Sequence, residues 1–192
     1  QLVRKKLNWK FEPFVIPKEI LNEWRKIGEK GILQEKKWNF VYNKKSKKIK
    51  DEFLRITNNK LPKDFDKIIE EQKKKFFDLK PNIASRQASA NFLEEITKNL
   101  PELIGGSADL SGSNNTKTKH STILKPGNFN GNYIHYGVRE HGMAGIMNGM
   151  ALHGGVLPYG GTFLIFLDYC KPSLRLSAFM GLKVIYIFSH DS

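Results

Sequence analysis

Cysteine is almost missing from this chain. The single residue, Cys170, excludes an internal disulfide and fits a reducing, cytoplasmic setting. No apolar run approaches the roughly 20 residues that a membrane-crossing helix needs, so no membrane partner is expected. No Cys/His cluster occurs at zinc spacing, so no metal site is expected from the chain's own residues. The first residues, Gln1 to Lys6, do not have the pattern of a secretory signal. An initiator Met is also lacking, and the chain stops at Ser192 just after a strand-like run, as expected of a fragment at both ends.

Glycine is scarce at the front, with 2 of the 16 before residue 81 and 14 after. Charge divides at the same place. Residues 1–80 carry 23 Lys+Arg against 12 Asp+Glu, a net +11, and residues 81–192 carry 9 against 7, a net +2. Two regions meet near Lys80-Pro81: a basic, helix-rich arm or connector over 1–80 and a glycine-turned α/β module over 81–192. Arginine is also scarce in the arm, and acids interleave its lysine runs at Glu35, Asp51, Glu52, Glu70 and Glu71. Planar recognition of phosphates or bases wants arginine. The runs Lys44–Lys50 and Lys73–Lys75 therefore read as solvated helix faces, and no nucleic-acid partner is expected.

In the arm, Trp9, Phe11, Phe14, Val15 and Ile16 form an extended aromatic segment, and Pro17 opens a helix. Gly28 and Gly31 are expected to break that helix, and Trp9, Trp24 and Trp38 to anchor a core. Further helices are expected around Trp38–Tyr42, over 51–58 and up to Pro81, with Leu61–Phe65 a turn. In the back module Ser85 can cap a helix whose apolar stripe is Ala88, Phe92, Leu93 and Ile96. Glu102–Leu110 reads as a strand entering a loop, and residues 111–131, rich in Ser, Asn, Thr and Gly, as a functional loop. Val156-Leu157-Pro158 reads as a short strand, Tyr159-Gly160-Gly161 as a turn, and Thr162 as the cap of a helix that Pro172 interrupts. Leu182–Phe188 is apolar enough for a strand covered on both faces.

The centre of the module is Tyr133-Ile134-His135-Tyr136-Gly137-Val138-Arg139-Glu140-His141-Gly142-Met143. A β-rich run is broken by Gly137, and Met143, Ile146, Met147 and Met150 follow at helical spacing. Glu140 therefore stands in a helix's first turn, where the dipole favours a carboxylate; taken alone it is a charged cap. Alternation of strand and helix implies an α/β fold, a parallel sheet with helices on both faces. In such a sheet Asp109, Glu140 and His190 emerge at the carboxyl ends of strands, where ligands bind.

Five blocks carry a resemblance: Ala84-Ser85-Arg86-Gln87-Ala88-Ser89, Gly105-Gly106-Ser107-Ala108-Asp109-Leu110, Tyr133 to Met143, Pro158-Tyr159-Gly160-Gly161-Thr162-Phe163, and His190-Asp191-Ser192. In this order and spacing over 82–192 the chain resembles the transketolases. The front resembles them more loosely, through Trp9–Phe14 and Leu61–Asp66. The resemblance implies the tail of a diphosphate-binding domain plus connector, then the truncated first half of a pyrimidine-binding domain, within the thiamin-diphosphate-binding fold.

It further implies a ketol transferase of the pentose phosphate pathway. Such an enzyme moves a two-carbon unit from a ketose phosphate to an aldose phosphate with thiamine diphosphate and a divalent ion, Mg2+ or Ca2+. Glu140 would be the carboxyl kept protonated in a dry pocket against the pyrimidine ring nitrogen. Phe163, Phe166 and Tyr169 would pack on that ring, although aromatics at this spacing are also ordinary core. Asp109 would lie near the cofactor, and its other reading is a turn-forming Asp. Arg86, Ser113 and His190 would hold the sugar phosphate, suiting a guanidinium fork, a hydroxyl and an imidazole. Gly112 stands where the family has proline, so the register at Ser113 departs from the pattern. His120, His135, His141 and His153 receive no role. The family's Gly-Asp-Gly…Asn metal and diphosphate motif does not occur in the chain. The resemblance implies a homodimer with shared active sites, in which this piece alone is inactive. The alternatives are a related thiamine-diphosphate enzyme (dihydroxyacetone synthase or deoxyxylulose-phosphate synthase), a basic binding module, and a non-catalytic scaffold that keeps the dimer surface.

Overall fold

The computed structural model describes residues 1–191, so Ser192 of the closing His-Asp-Ser run lies outside the described residues. By its contacts the chain divides into Gln1–Lys50 and a second unit from Asp51 onward.

The first unit holds a short helix α1 (Leu2–Lys6) and a long one, α2 (Lys18–Asn43). Contrary to expectation, α2 runs through Gly28 and Gly31. Nothing approaches either glycine, so each costs the helix only propensity, about 1 kcal/mol, and 26 residues of continuous hydrogen bonding outweigh that. The expected tryptophan core is also corrected: Trp24 is 70% exposed, Trp38 51% and Trp9 37%. One long helix with a short arm offers no second layer, and neither helix buries a residue.

The boundary falls within α3 (Lys47–Thr57), and α4 (Phe65–Leu79) follows. Next come α5 (Ser85–Asn99), β1 (Leu103–Ser107), the single turn α6 (Ser111–Asn114), β2 (Tyr133–His135), α7 (Glu140–His153) and β3 (Leu157–Phe163). A 3-10 turn (Leu164–Phe166), α8 (Leu167–Phe179) and β4 (Ile185–Ser189) complete the unit. All pairings are parallel, in the order β2-β1-β3-β4.

Helices cover both faces. On one, Leu93 of α5 packs with Leu100, Leu103 and Tyr159, joined by Phe65 of α4. On the other, Met143 and Met147 of α7 pack with Ala108 and Tyr136. Glycines set the approach of the layers. A side chain at Gly160 would place its Cβ 2.6 Å from the Met147 sulfur, and one at Gly161 would sit 2.5 Å from Thr116 Cγ2. That explains a second correction: Tyr159-Gly160-Gly161 is strand, because these glycines serve close packing and not a turn. Thr162 likewise lies in β3 and caps nothing. α5 is capped through Ala84, whose N–H donates to Gln87 Oε1 (3.2 Å), and Ser85 is its first helical residue. Pro172 is the sixth residue of α8 and does not end it.

The amino edge of the sheet is tied to the α3–α4 region. Arg55 forks onto Glu102, just before β1, at 2.7 and 2.9 Å, and onto Glu52 at 2.6 and 2.9 Å. Lys183, before β4, donates to Asn59 O (3.2 Å). A cavity of about 210 Å3 lies here, lined among others by Ile56, Leu61, Leu157 and Leu182.

Candidate functional site

The parallel order aligns the carboxyl ends of all four strands along one edge. Asp109 stands two residues past β1, exposed and left-handed (φ 63°). Between β2 and α7, Gly137 takes φ 70°, and a Cβ there would meet the Arg139 guanidinium. Arg139 Nη1 donates back to Tyr136 O (2.9 Å), closing the turn that presents Glu140. Glu140 opens α7 and is only 8% exposed, so the carboxyl is buried at a helix N-terminus. Burial pushes the nearby Cys170 thiol up, and Glu140 adds a smaller push in the same direction.

Aromatic rings line up beside the end of β4. Phe163 and Phe166 stack with centroids 5.8 Å apart, Phe166 and Tyr169 lie 5.7 Å apart, and His190 meets Phe163 edge-on at 5.2 Å. Asp191, which the sequence reading passed over, accepts the Ile165 N–H (2.7 Å) and fastens the 3-10 turn bearing Phe166 to the end of β4. The only sequence signal for it was its place in the His-Asp-Ser run.

Ser113 is exposed on α6. The turn that carries it is held from below by a buried polar group that sequence reasoning also missed. Tyr133 OH donates to Ser111 Oγ (2.7 Å) and lies 2.9 Å from Thr116 Oγ1. The Asn114 amide bonds with Thr116 Oγ1 (2.9 Å) and Ser107 Oγ (3.1 Å). Burial raises the Tyr133 phenol, and its bonds to Ser111 and Thr116 offset part of that rise. Arg86 is half-buried in the first turn of α5, which runs back toward β1, so that turn lies toward the carboxyl edge. The structure thus gathers Phe163, Phe166, Tyr169 and His190. Arg86, Asp109 and Ser113 share the edge without a hydrogen bond or ion pair to that group among the described residues.

Four buried side-chain polar atoms have no hydrogen-bond partner among the described residues: Tyr136 OH, Thr162 Oγ1, Ser189 Oγ and His190 Nδ1. Thr162, Ser189 and His190 lie at the carboxyl ends of β3 and β4, whereas the Tyr136 ring folds back over Gly106 of β1. Such a group costs about 1–3 kcal/mol when left unpaired. No group of three or more His, Cys, Asp and Glu able to hold a metal occurs among the described residues.

Residues 81–192 match the family model of the transketolase pyrimidine-binding domain. The chain belongs to the transketolase family. A transketolase of Buchnera aphidicola (from Acyrthosiphon pisum) is 46% identical over 194 residues, covering 100% of this chain and 29% of that protein. One from Sinorhizobium medicae is 45% identical over 98% of this chain and 27% of its own length. Among solved structures, a variant transketolase of Pichia stipitis in complex with fructose 6-phosphate superposes with a TM-score of 0.80 at 33% identity. That match covers 97% of this chain and 29% of the Pichia chain. The Campylobacter jejuni transketolase gives a TM-score of 0.72 at 34% identity over 98% of this chain and 28% of that one. The chain therefore spans under a third of the length of these relatives.

Proposed function

We propose that this chain is part of a transketolase that moves a two-carbon ketol unit from a ketose phosphate to an aldose phosphate. Residues 1–80 would end the diphosphate-binding domain and connect it, and 81–192 would begin the pyrimidine-binding domain. What carries the reading is the set of unpartnered polar atoms at the carboxyl edge, beside a buried carboxyl and a row of rings. Those residues fit thiamine diphosphate: a flat heteroaromatic ring wants an aromatic wall on one side and one hydrogen-bonding group at its edge. When bound, the cofactor supplies a nucleophilic thiazolium carbon and the electron sink.

The chain's own residues bind and orient. Phe163, Phe166 and Tyr169 exclude water from one face of the pyrimidine. Glu140 holds a proton between its carboxyl and the pyrimidine ring nitrogen, which the dry surroundings favour. Asp109 would lie near the cofactor. Arg86, Ser113 and His190 take the substrate phosphate, and His190 brings an imidazole close to the reacting sugar. Ligands for the diphosphate and for Mg2+ or Ca2+ would come from outside this chain. The working enzyme would be a cytoplasmic homodimer with active sites shared between chains, so the piece alone would not turn over.

The test is Glu140→Gln in the full-length enzyme. The expected result is a loss of about 10²-fold or more in kcat, the scale of a lost proton-transfer group, with an unchanged melting curve. Near-parental turnover would overturn the assignment.

A further inference from the structure

The cavity at the amino edge of the sheet takes no part in the proposed chemistry, which lies at the opposite end of the strands. It measures about 210 Å3 and lies between the end of α3 and the amino ends of β3 and β4. An apolar cavity of roughly 150 Å3 takes up benzene, so this one admits a body of about eight non-hydrogen atoms. Its walls are fixed from within the chain. Lys60 N donates to Arg55 O (3.0 Å), Arg55 Nη1 donates back to Lys60 O, and the same guanidinium forks onto Glu102. Lys183 Nζ reaches across to Asn59 O (3.2 Å). The turn from Asn59 to Leu61 is thereby tied to the sheet just before β1 and just before β4. Walls held in this way lose little freedom when a ligand enters.

Ile56, Leu61, Leu157 and Leu182 give the cavity an apolar wall, and Leu61 is left 46% exposed there. Three charged residues also line it: Glu102, Lys60 and Lys183. The Glu102 carboxylate is taken by Arg55, whereas no carboxylate pairs with either lysine among the described residues. The Lys183 ammonium, held at a neutral carbonyl, keeps two further donors. An apolar wall beside uncompensated positive charge suits a ligand with an apolar body and one anionic end. We propose that this cavity is a second binding site, for a small carboxylate whose branched apolar body lies against the leucines and whose head meets Lys60 and Lys183. The inference goes beyond the ketol-transfer reading and does not rest on it, because the cavity stands at the amino edge whatever the carboxyl edge binds.

The probe is isocaproate, measured by calorimetry on the full-length enzyme with thiamine diphosphate bound. Its dissociation constant should be about 1 mM or tighter, as expected of a ligand of this size. Acetate, the head without the body, and isocaproamide, the body without the charge, should each bind at least about tenfold more weakly. Lys60→Gln combined with Lys183→Gln should raise the isocaproate constant about tenfold. The melting temperature should move by less than about 2 °C, since both side chains are exposed. Leu61→Asp, at a half-exposed position, sets a negative charge against the same head and should abolish binding. Glu140→Gln should leave the constant within about twofold, because that carboxyl stands at the opposite edge. No binding of isocaproate, or equal affinity for isocaproamide, would overturn the proposal. So would parental affinity in both the lysine double variant and Leu61→Asp, or a loss in Glu140→Gln, which would put the probe at the carboxyl edge. Parental turnover by Glu140→Gln with isocaproate binding intact would instead sink the functional reading and leave this site standing.

Discussion

The two edges of the one sheet are built on opposite terms. At the amino edge the buried charges are paired inside the chain. The Arg55 guanidinium touches Glu52, Glu102 and Lys60 O, and its ordinary high pKa is pushed higher, first by Glu52 and then by Glu102. At the carboxyl edge the buried polar atoms of Thr162, Ser189 and His190 have no partner among the described residues, Asp109 is left-handed, and Tyr169 is 63% exposed at the end of the row of rings. The same four strands make both edges, so strand chemistry is not the cause. The amino edge completes itself with the α3–α4 region, whereas the carboxyl edge leaves buried polar atoms unpaired among the described residues.

The contrast can be broken at the amino edge first. Arg55→Ala should leave the Glu102 carboxylate, with 8% of its side chain exposed, buried and unpaired, costing about 3–5 kcal/mol in urea unfolding. Ligand binding at the far edge should survive in whatever fraction stays folded. A smaller effect is expected in the middle of the sheet. Gly161→Ala would drive a Cβ to 2.5 Å from Thr116 Cγ2 and 2.9 Å from the Asn114 amide, overpacking worth about 1–3 kcal/mol in the same assay. Loss below about 0.5 kcal/mol would mean that the Asn114 group yields easily and does not fix the Ser113 turn.

Alkaline titration separates the phenols from the carboxylates. Burial raises both Tyr136 and Tyr159 well above the ordinary phenol value. Each contribution is present below the unfolded pKa of about 10 and is lost as pH climbs through the folded one, because the unfolded chain gives up protons that the folded chain keeps. Stability should therefore decline above about pH 10, and Tyr136→Phe should flatten the decline. An unchanged slope in that variant would show that Tyr136 is open to solvent.

Much of this was legible in the sequence, and the failures have a common cause. The alternation of strand and helix, Gly137 before Arg139-Glu140, and the methionines at helical spacing gave the layered fold and a carboxylate in the first turn of a helix past a strand end, while its burial was implied only by the family resemblance. Gly160 and Gly161 misled, because glycine in a strand and glycine in a turn look alike until the opposing layer is known. Here that layer is Met143, Met147, Thr116 and Asn114. Gly28 and Gly31 misled in the opposite sense, since a lone glycine weakens a helix without ending it. The Asn114–Thr116–Tyr133–Ser107 group was hidden because its members are polar and lie in a Ser/Asn/Thr-rich stretch, where nothing distinguishes a buried hydroxyl from a solvated one. Asp191 was hidden because its partner is a backbone N–H 26 residues away.

The smallest predicted effect is the sharpest comparison of the two kinds of buried hydroxyl. Ser107 and Ser189 end β1 and β4 of the same sheet, on either side of β3, one engaged and one not. Ser107 Oγ lies 3.1 Å from each of Gly161 O, Leu110 N and the Asn114 amide, so Ser107→Ala strips partners from three groups and should cost about 1–3 kcal/mol. Ser189 Oγ has no partner among the described residues, so Ser189→Ala removes an unpaired hydroxyl and should change stability by less than about 0.5 kcal/mol, or raise it. Both are read by urea unfolding of the chain without ligand. Equal losses would mean that Ser189 is satisfied from within the chain, and the carboxyl edge would then be as self-contained as the amino edge.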